Sequence, residues 1–115
     1  MTITTVTNTA RTLVAAATSN TAAGPTRGTI DLRGKLGGIL TMKITNGATG
    51  PTVQAEGRVL IAHNEGSTPA AASAGSDWKT IWRFGGGTTA NAITEQSYEF
   101  GPGHMHLEVE FTGNT

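Results

Sequence analysis

The chain has 115 residues, the length of one ordinary domain and enough to bury a hydrophobic core. It contains no cysteine, which excludes disulfides and thiolate metal sites. Eight Lys and Arg residues balance eight Asp and Glu residues, and zero net charge removes the general attraction to nucleic acids and anionic membranes. We therefore expect neither nucleic acid nor a membrane as a partner.

Charged residues make up only 14% of the chain, against about 25% in average soluble domains. Such a neutral, Thr- and Gly-rich surface favours association with other subunits. No run reaches the roughly 20 apolar residues of a membrane span. Residues 1–20 lack the charged start and apolar centre of a signal peptide, so we expect synthesis in a cytoplasm.

Residues 1–26 contain mainly Thr, Ala and Asn with scattered apolar side chains. Residues 2–9 favour extended structure, whereas 11–17 suit either a strand or one helical turn. We predict that residues 1–26 form an N-terminal arm or a first strand. Residues 27–115 are predicted to form the folded domain.

Residues 27–32 alternate between apolar and polar side chains, as does the longer stretch 37–63. Alternation with period two is typical of a strand with one buried face. The longer stretch contains Asn46-Gly47 and Gly50-Pro51, which favour a chain reversal, so it predicts two strands paired as a hairpin. Its predicted buried face carries Leu40, Met42, Ile44, Val53, Ala55, Val59 and Ile61.

A polar loop is predicted over residues 64–76, and a strand over 77–84 follows it. That strand places both tryptophans of the chain, Trp78 and Trp82, on one predicted face together with Thr80 and Phe84. The aromatic face is either part of the core or an exposed binding strip.

Two further strands are predicted over residues 93–100 and 104–112. In the second, Met105, Leu107, Val109 and Phe111 alternate with His104, His106, Glu108 and Glu110. The apolar set is predicted to face inward and the charged set to face solvent. With six to eight strands and almost no helix, the chain is predicted to be all-β, an antiparallel, jelly-roll-like β-sandwich.

The segment His104-Met105-His106, with Glu108 and Glu110, is the one stretch with the character of a metal site. Residues two apart on a strand share a face at a spacing of roughly 6.6 Å, and this pattern resembles the first half of the cupin metal motif. No second motif follows it, and a solvated strand face explains the same residues. We predict no metal and no other cofactor, while the sequence leaves open whether His104 and His106 bind an ion.

Catalytic patterns are also missing from the sequence. There is no Gly-x-Ser-x-Gly elbow, and no Lys-Ser or Lys-Thr pair follows Gly85-Gly86-Gly87 to make a phosphate loop. Most carboxylates alternate outward on predicted strands. We therefore expect no catalytic residues and no enzyme activity.

Three stretches carry a family resemblance: GGILTMKITNGATGPTVQAEGRVLIAHNEG at 37–66, DWKTIWRF at 77–84 and HLEVEFTGNT at 106–115. In their Thr- and Gly-rich composition and in the order of their predicted strands, they resemble capsid decoration or cement proteins, which are small virion proteins of tailed bacteriophages. The resemblance covers residues 27–115 and transfers no individual functional residue.

This resemblance implies a structural protein on the capsid surface of a virion, made in the host cytoplasm. Its partners would be the major capsid protein, between whose subunits it would bind, and copies of itself in a dimer or trimer. The alternative is a carbohydrate-binding β-module associated with a tail or fibre. That alternative requires Trp78, Trp82 or Tyr98 to be exposed as a stacking platform.

Overall fold

A computed structural model of the chain describes residues 9–16, 18, 26–63 and 78–113. These residues contain no helix and form six strands. The strands are β1 (Thr26–Asp31), β2 (Gly38–Thr45), β3 (Glu56–Ala62), β4 (Lys79–Gly85), β5 (Ile93–Phe100) and β6 (His106–Thr112).

The strands form two antiparallel sheets that pack face to face. One sheet has the order β1-β6-β3-β4, and the other consists of β2 and β5. Met42 of β2 lies in one buried cluster with Val59 of β3 and with Leu107 and Val109 of β6. The predicted all-β, antiparallel sandwich is therefore confirmed.

Strand β2 shows how the sequence pattern sets the faces. Met42 and Ile44 are buried, whereas Thr41, Lys43 and Thr45 are exposed. Because successive side chains point to opposite faces, apolar residues at every second position give the strand one side that packs on the other sheet.

The predicted hairpin over residues 37–63 is wrong. Strand β2 pairs with β5, and β3 pairs with β4 and β6, so the chain crosses from one sheet to the other between β2 and β3. Val53, predicted to lie in the second strand, is exposed in this connection. Alternation predicts that a stretch is a strand, but both sheets of a sandwich satisfy the same alternation.

Asn46, directly after β2, fixes the point where the crossing connection begins. Its buried side-chain amide donates hydrogen bonds to the carbonyl oxygens of Gly86, Gly87 and Thr89, at 3.1, 3.2 and 2.9 Å. Its backbone N–H donates to Ala92 at 2.8 Å. These bonds join the end of β2 to the β4–β5 connection, and they give the buried side-chain amide of Asn46 its hydrogen-bond partners.

A β-bulge in β4 separates the two tryptophans. Val59 lies opposite Trp82 whereas the next residue, Leu60, lies opposite Thr80, so Ile81 is an extra residue. The bulge reverses the alternation: Trp82 packs against the core between the sheets, and Trp78 packs on Leu60 and Ala62. The prediction that both tryptophans share one face is therefore wrong.

The described part of the N-terminal segment, residues 9–16 and 18, contains no strand. Leu13 and Val14 nevertheless pack against the core. A Cβ placed on Gly28 would lie 2.3 Å from the carbonyl oxygen of Leu13, so β1 needs glycine at this close approach. The rest of the predicted arm up to residue 25, and the predicted loop over 64–76, lie outside the described residues.

Replacing the fully buried Leu107 tests the assignment of the core. Leu107→Ala should lower the free energy of unfolding by about 2 to 5 kcal/mol, because it removes buried apolar contacts and leaves a cavity. Urea denaturation measures this loss. The matched control is Ile39→Ala at a side chain that is 72% exposed, which should stay within about 0.5 kcal/mol of the parent protein. Equal losses in the two variants would contradict the assignment.

Candidate functional site: a buried charge network on strand β6

Strand β6 lies between β1 and β3 and is buried on both faces. On the face away from the other sheet, His106, Glu108 and Glu110 are 2, 3 and 2% exposed. The sequence predicts that these side chains face solvent, and that prediction is wrong. The central position of β6 and the long side chains on its neighbours cover a face that alternation alone assigns to water.

Glu110 binds two arginines from the neighbouring strands. Arg27 of β1 and Arg58 of β3 lie directly opposite Glu110 in the two registers. Arg27 Nε donates to Oε2 at 2.5 Å, and an Arg58 amino group donates to Oε1. The arginine side chains keep about 30% of their surface in solvent. One buried carboxylate thus connects three adjacent strands through charge-assisted hydrogen bonds.

Glu108, two residues before Glu110, is less well satisfied. Its Oε1 lies 3.7 Å from Arg27 Nε, and its buried Oε2 has no hydrogen-bond partner among the described residues. Burial raises the pKa of Glu108, while the charges of Arg27 and Arg58 act in the opposite direction. Of the two buried carboxylates, Glu108 is therefore the one whose charged form the surroundings stabilise less.

A second ionic group lies at the other end of β6. Asp31, opposite His106 in the β1–β6 register, accepts hydrogen bonds from Arg33 Nε at 3.0 Å and from its amino group at 2.7 Å. These bonds hold the pKa of Asp31 well below its usual range. His106 Nδ1 lies 3.9 Å from the same carboxylate. Because the Asp31–Arg33 pair is exposed, salt screens it and it adds little stability.

The network is poorly placed for acid–base chemistry. A general acid or base must come within hydrogen-bond reach of a substrate, but Glu108 and Glu110 are almost fully buried. Neither carboxylate lines the groove beside residues 102–105 or the groove beside β1. What the arrangement does is fix the positions of strands.

The candidate metal residues are not brought together in the described parts of the chain. His104 lies outside β6, with its ring stacked on Phe100 at 6.2 Å and 6.4 Å from the ring of His63. His106 faces Asp31 instead. Within the described ranges, no three His, Asp or Glu side chains form a group that could hold a metal ion.

Sequence reasoning missed the roles of Arg27 and Arg58. Both residues lie at polar positions of their strands, like most of the charged residues of the chain. Only the pairing of β1 and β3 with β6 places them opposite Glu110. The one available signal was a charged alternation in a strand that proved to be central.

Comparison of the chain with protein-family models, with curated proteins and with solved structures found no match. No helix in the described residues is long and apolar enough to cross a membrane.

Glu110→Gln tests whether this carboxylate links the three strands. The substitution keeps the shape but leaves two partly buried arginines without their anion, and we expect a loss of about 2 to 4 kcal/mol in the free energy of unfolding. Urea denaturation is the measurement, and Glu99→Gln at an exposed position of β5 is the control. A loss no greater than that of the control would show that Glu110 does not link the strands.

Glu108→Gln should change the free energy of unfolding in the opposite direction to Glu110→Gln, and the size of this change should depend on pH. Since the pKa of Glu108 is raised above its ordinary value of 4.5, the native protein binds more protons than the unfolded chain above that pH. Native stability therefore falls as pH rises through this window. Relative to the parent protein, the variant should gain stability between about pH 4 and pH 7. Urea midpoints at both pH values measure the change, and a growing loss towards pH 7 would contradict it.

Proposed function

We propose that the protein is a structural virion protein that binds the outside of a tailed-phage capsid, between major capsid protein subunits, and stabilises the shell. The observation that supports this proposal most is that the buried charged side chains link neighbouring strands to one another. Glu110, Arg27 and Arg58 connect three strands of one sheet, which suits a protein that has to stay rigid under mechanical force. The family resemblance supplies the capsid as the partner.

The strands at the edges of the two sheets support a binding role. Within the described chain, β1 and β4 each pair on one side only, and so do β2 and β5. An edge strand has unpaired backbone groups that can accept a strand from another protein, and several main-chain hydrogen bonds then act together. Docking of this kind needs neither a deep pocket nor a dense charge patch.

Exposed apolar side chains support the same role. Ile39 and Ile93 lie near opposite ends of the outer face of the β2–β5 sheet and are 72 and 63% exposed. Leu36 is exposed to a similar extent. Contact with a capsid subunit, or with a second copy in a dimer or trimer, would remove this apolar surface from water. Repetition around a symmetric shell would strengthen weak individual contacts.

The carbohydrate-binding alternative receives no support from the described aromatic residues. Trp78 is only 8% exposed. Trp82 is partly buried against the core, where its ring stacks on Phe84 at 5.4 Å and on Tyr98 at 5.7 Å. A sugar platform needs an aromatic face open to solvent, and these rings face one another.

Co-sedimentation with undecorated tailed-phage capsids tests the proposal. The protein should pellet with the capsids in a saturable manner and stay in solution without them. Ile39→Asp combined with Ile93→Asp should weaken attachment by about tenfold, because charge would have to be desolvated in the contact.

The matched control is Thr88→Asp combined with Thr89→Asp, which adds the same charge at exposed positions of the β4–β5 connection, outside the β2–β5 sheet. It should attach to capsids like the parent protein. Equal pelleting with unrelated particles, or no pelleting at any concentration, would contradict the proposed function.

A further inference from the structure

We infer that an open groove beside strand β1 docks an acidic, extended segment of a partner protein. Residues 11–13 and residues 29–31 of β1 line this groove, together with Arg33 and Lys35. Its volume is about 520 Å³, within the range of roughly 300 to 1,000 Å³ that is typical of ligand sites. The inference rests on the proposed function and deepens it, since it specifies the chemistry of the partner.

The lining residues place the groove along a strand edge. Thr29, Ile30 and Asp31 are consecutive, and consecutive side chains of a strand point to opposite faces. A groove that touches all three therefore follows the edge of β1 rather than one face of the sheet. Within the described chain, β1 pairs only with β6, so this edge can accept an added strand.

The charges in the groove favour an anionic partner. Arg11, Arg33 and Lys35 contribute three positive charges, and Asp31 contributes one negative charge. Asp31 is already bound by Arg33, whereas Arg11 and Lys35 form no ion pair with any described residue. The excess of two positive charges is local, because the whole chain has a net charge of zero.

The other lining residues favour a peptide over a nucleic acid. No aromatic side chain lines the groove, so it has no platform on which a base could stack. Leu13 and Ile30 are half-buried apolar side chains packed against the core, and they give the groove an apolar part. An extended peptide that alternates acidic and apolar residues matches both features, since its two faces would meet the cations and the apolar part separately.

Isothermal titration calorimetry with a blocked peptide, Thr-Glu-Val-Glu-Val-Glu-Thr, tests the inference on the full chain. We expect saturable binding that weakens when salt rises from about 50 mM to about 500 mM. The same peptide with Gln in place of Glu should bind at least about tenfold more weakly. The double variant Arg11→Gln, Lys35→Gln should lose about tenfold in affinity for the acidic peptide.

The control variant is Lys43→Gln with Arg83→Gln, which removes the same charge from exposed positions outside the groove. It should bind the peptide like the parent protein, and urea midpoints should show that both double variants remain folded. Equal binding of the Glu and Gln peptides, or equal losses in the two variants, would overturn the inference. Tighter binding of oligothymidylate or of inorganic phosphate than of the peptide would also overturn it.

The inference and the proposed function fail separately. If the parent protein binds capsids and the groove variant binds them equally well, the groove is not the docking site but the proposed function stands. If the acidic peptide binds through Arg11 and Lys35 but no capsid is bound, the groove is assigned and the capsid proposal is wrong.

Discussion

Glu110 and its two arginines impose a constraint on which the rest of the sandwich depends. A carboxylate buried to this degree needs its charge balanced and hydrogen-bonded, and here the partners come from the strands on either side. Arg27 and Arg58 can both reach it only when β1, β6 and β3 lie in the observed register. A slip of one residue would turn Glu110 towards the core and expose Leu107 and Val109. The ionic network therefore selects the register as much as it adds stability.

The opposite face of the same strands builds the core. Leu107 and Val109 of β6 pack with Val59 of β3, and Met42 of β2 joins them from the other sheet. A sheet of only two strands, such as β2 with β5, is marginally stable in water by itself. It depends on this packing, and so on the register of the larger sheet. The charged face of β6 thus fixes the register of the larger sheet, and the opposite face of β6 supports the smaller sheet through the core.

The sequence predicts the strands well because their alternation is local. The bounds of β5 match the predicted strand, and β6 begins two residues after its predicted start. The partners of each strand depend on contacts between distant residues, which alternation does not encode. Asn46 illustrates this, since its hydrogen bonds to the β4–β5 connection appear only once both sheets are assembled.

In the candidate site too, local patterns could be predicted from the sequence and long-range contacts could not. The alternation of side chains along a strand is enough to predict that His106, Glu108 and Glu110 share one face. Predicting its burial required knowing that β6 is central and that Arg27 and Arg58 lie opposite Glu110. The bulge at Ile81 could not be predicted from the sequence for a similar reason, because an extra residue is defined only by the pairing with the partner strand. Where function depends on pairing, the sequence alone predicts the residues but not their environment.

Native-state hydrogen exchange measures the central claim most directly, because it reports the free energy of opening for each strand separately. If the network on β6 holds the larger sheet in register, the amides of Leu107 and Val109 should exchange only through global unfolding. Amides of β2 and β5 should exchange through openings of lower free energy. Exchange of the β6 amides through local openings at a lower free energy than those of β2 and β5 would contradict the account.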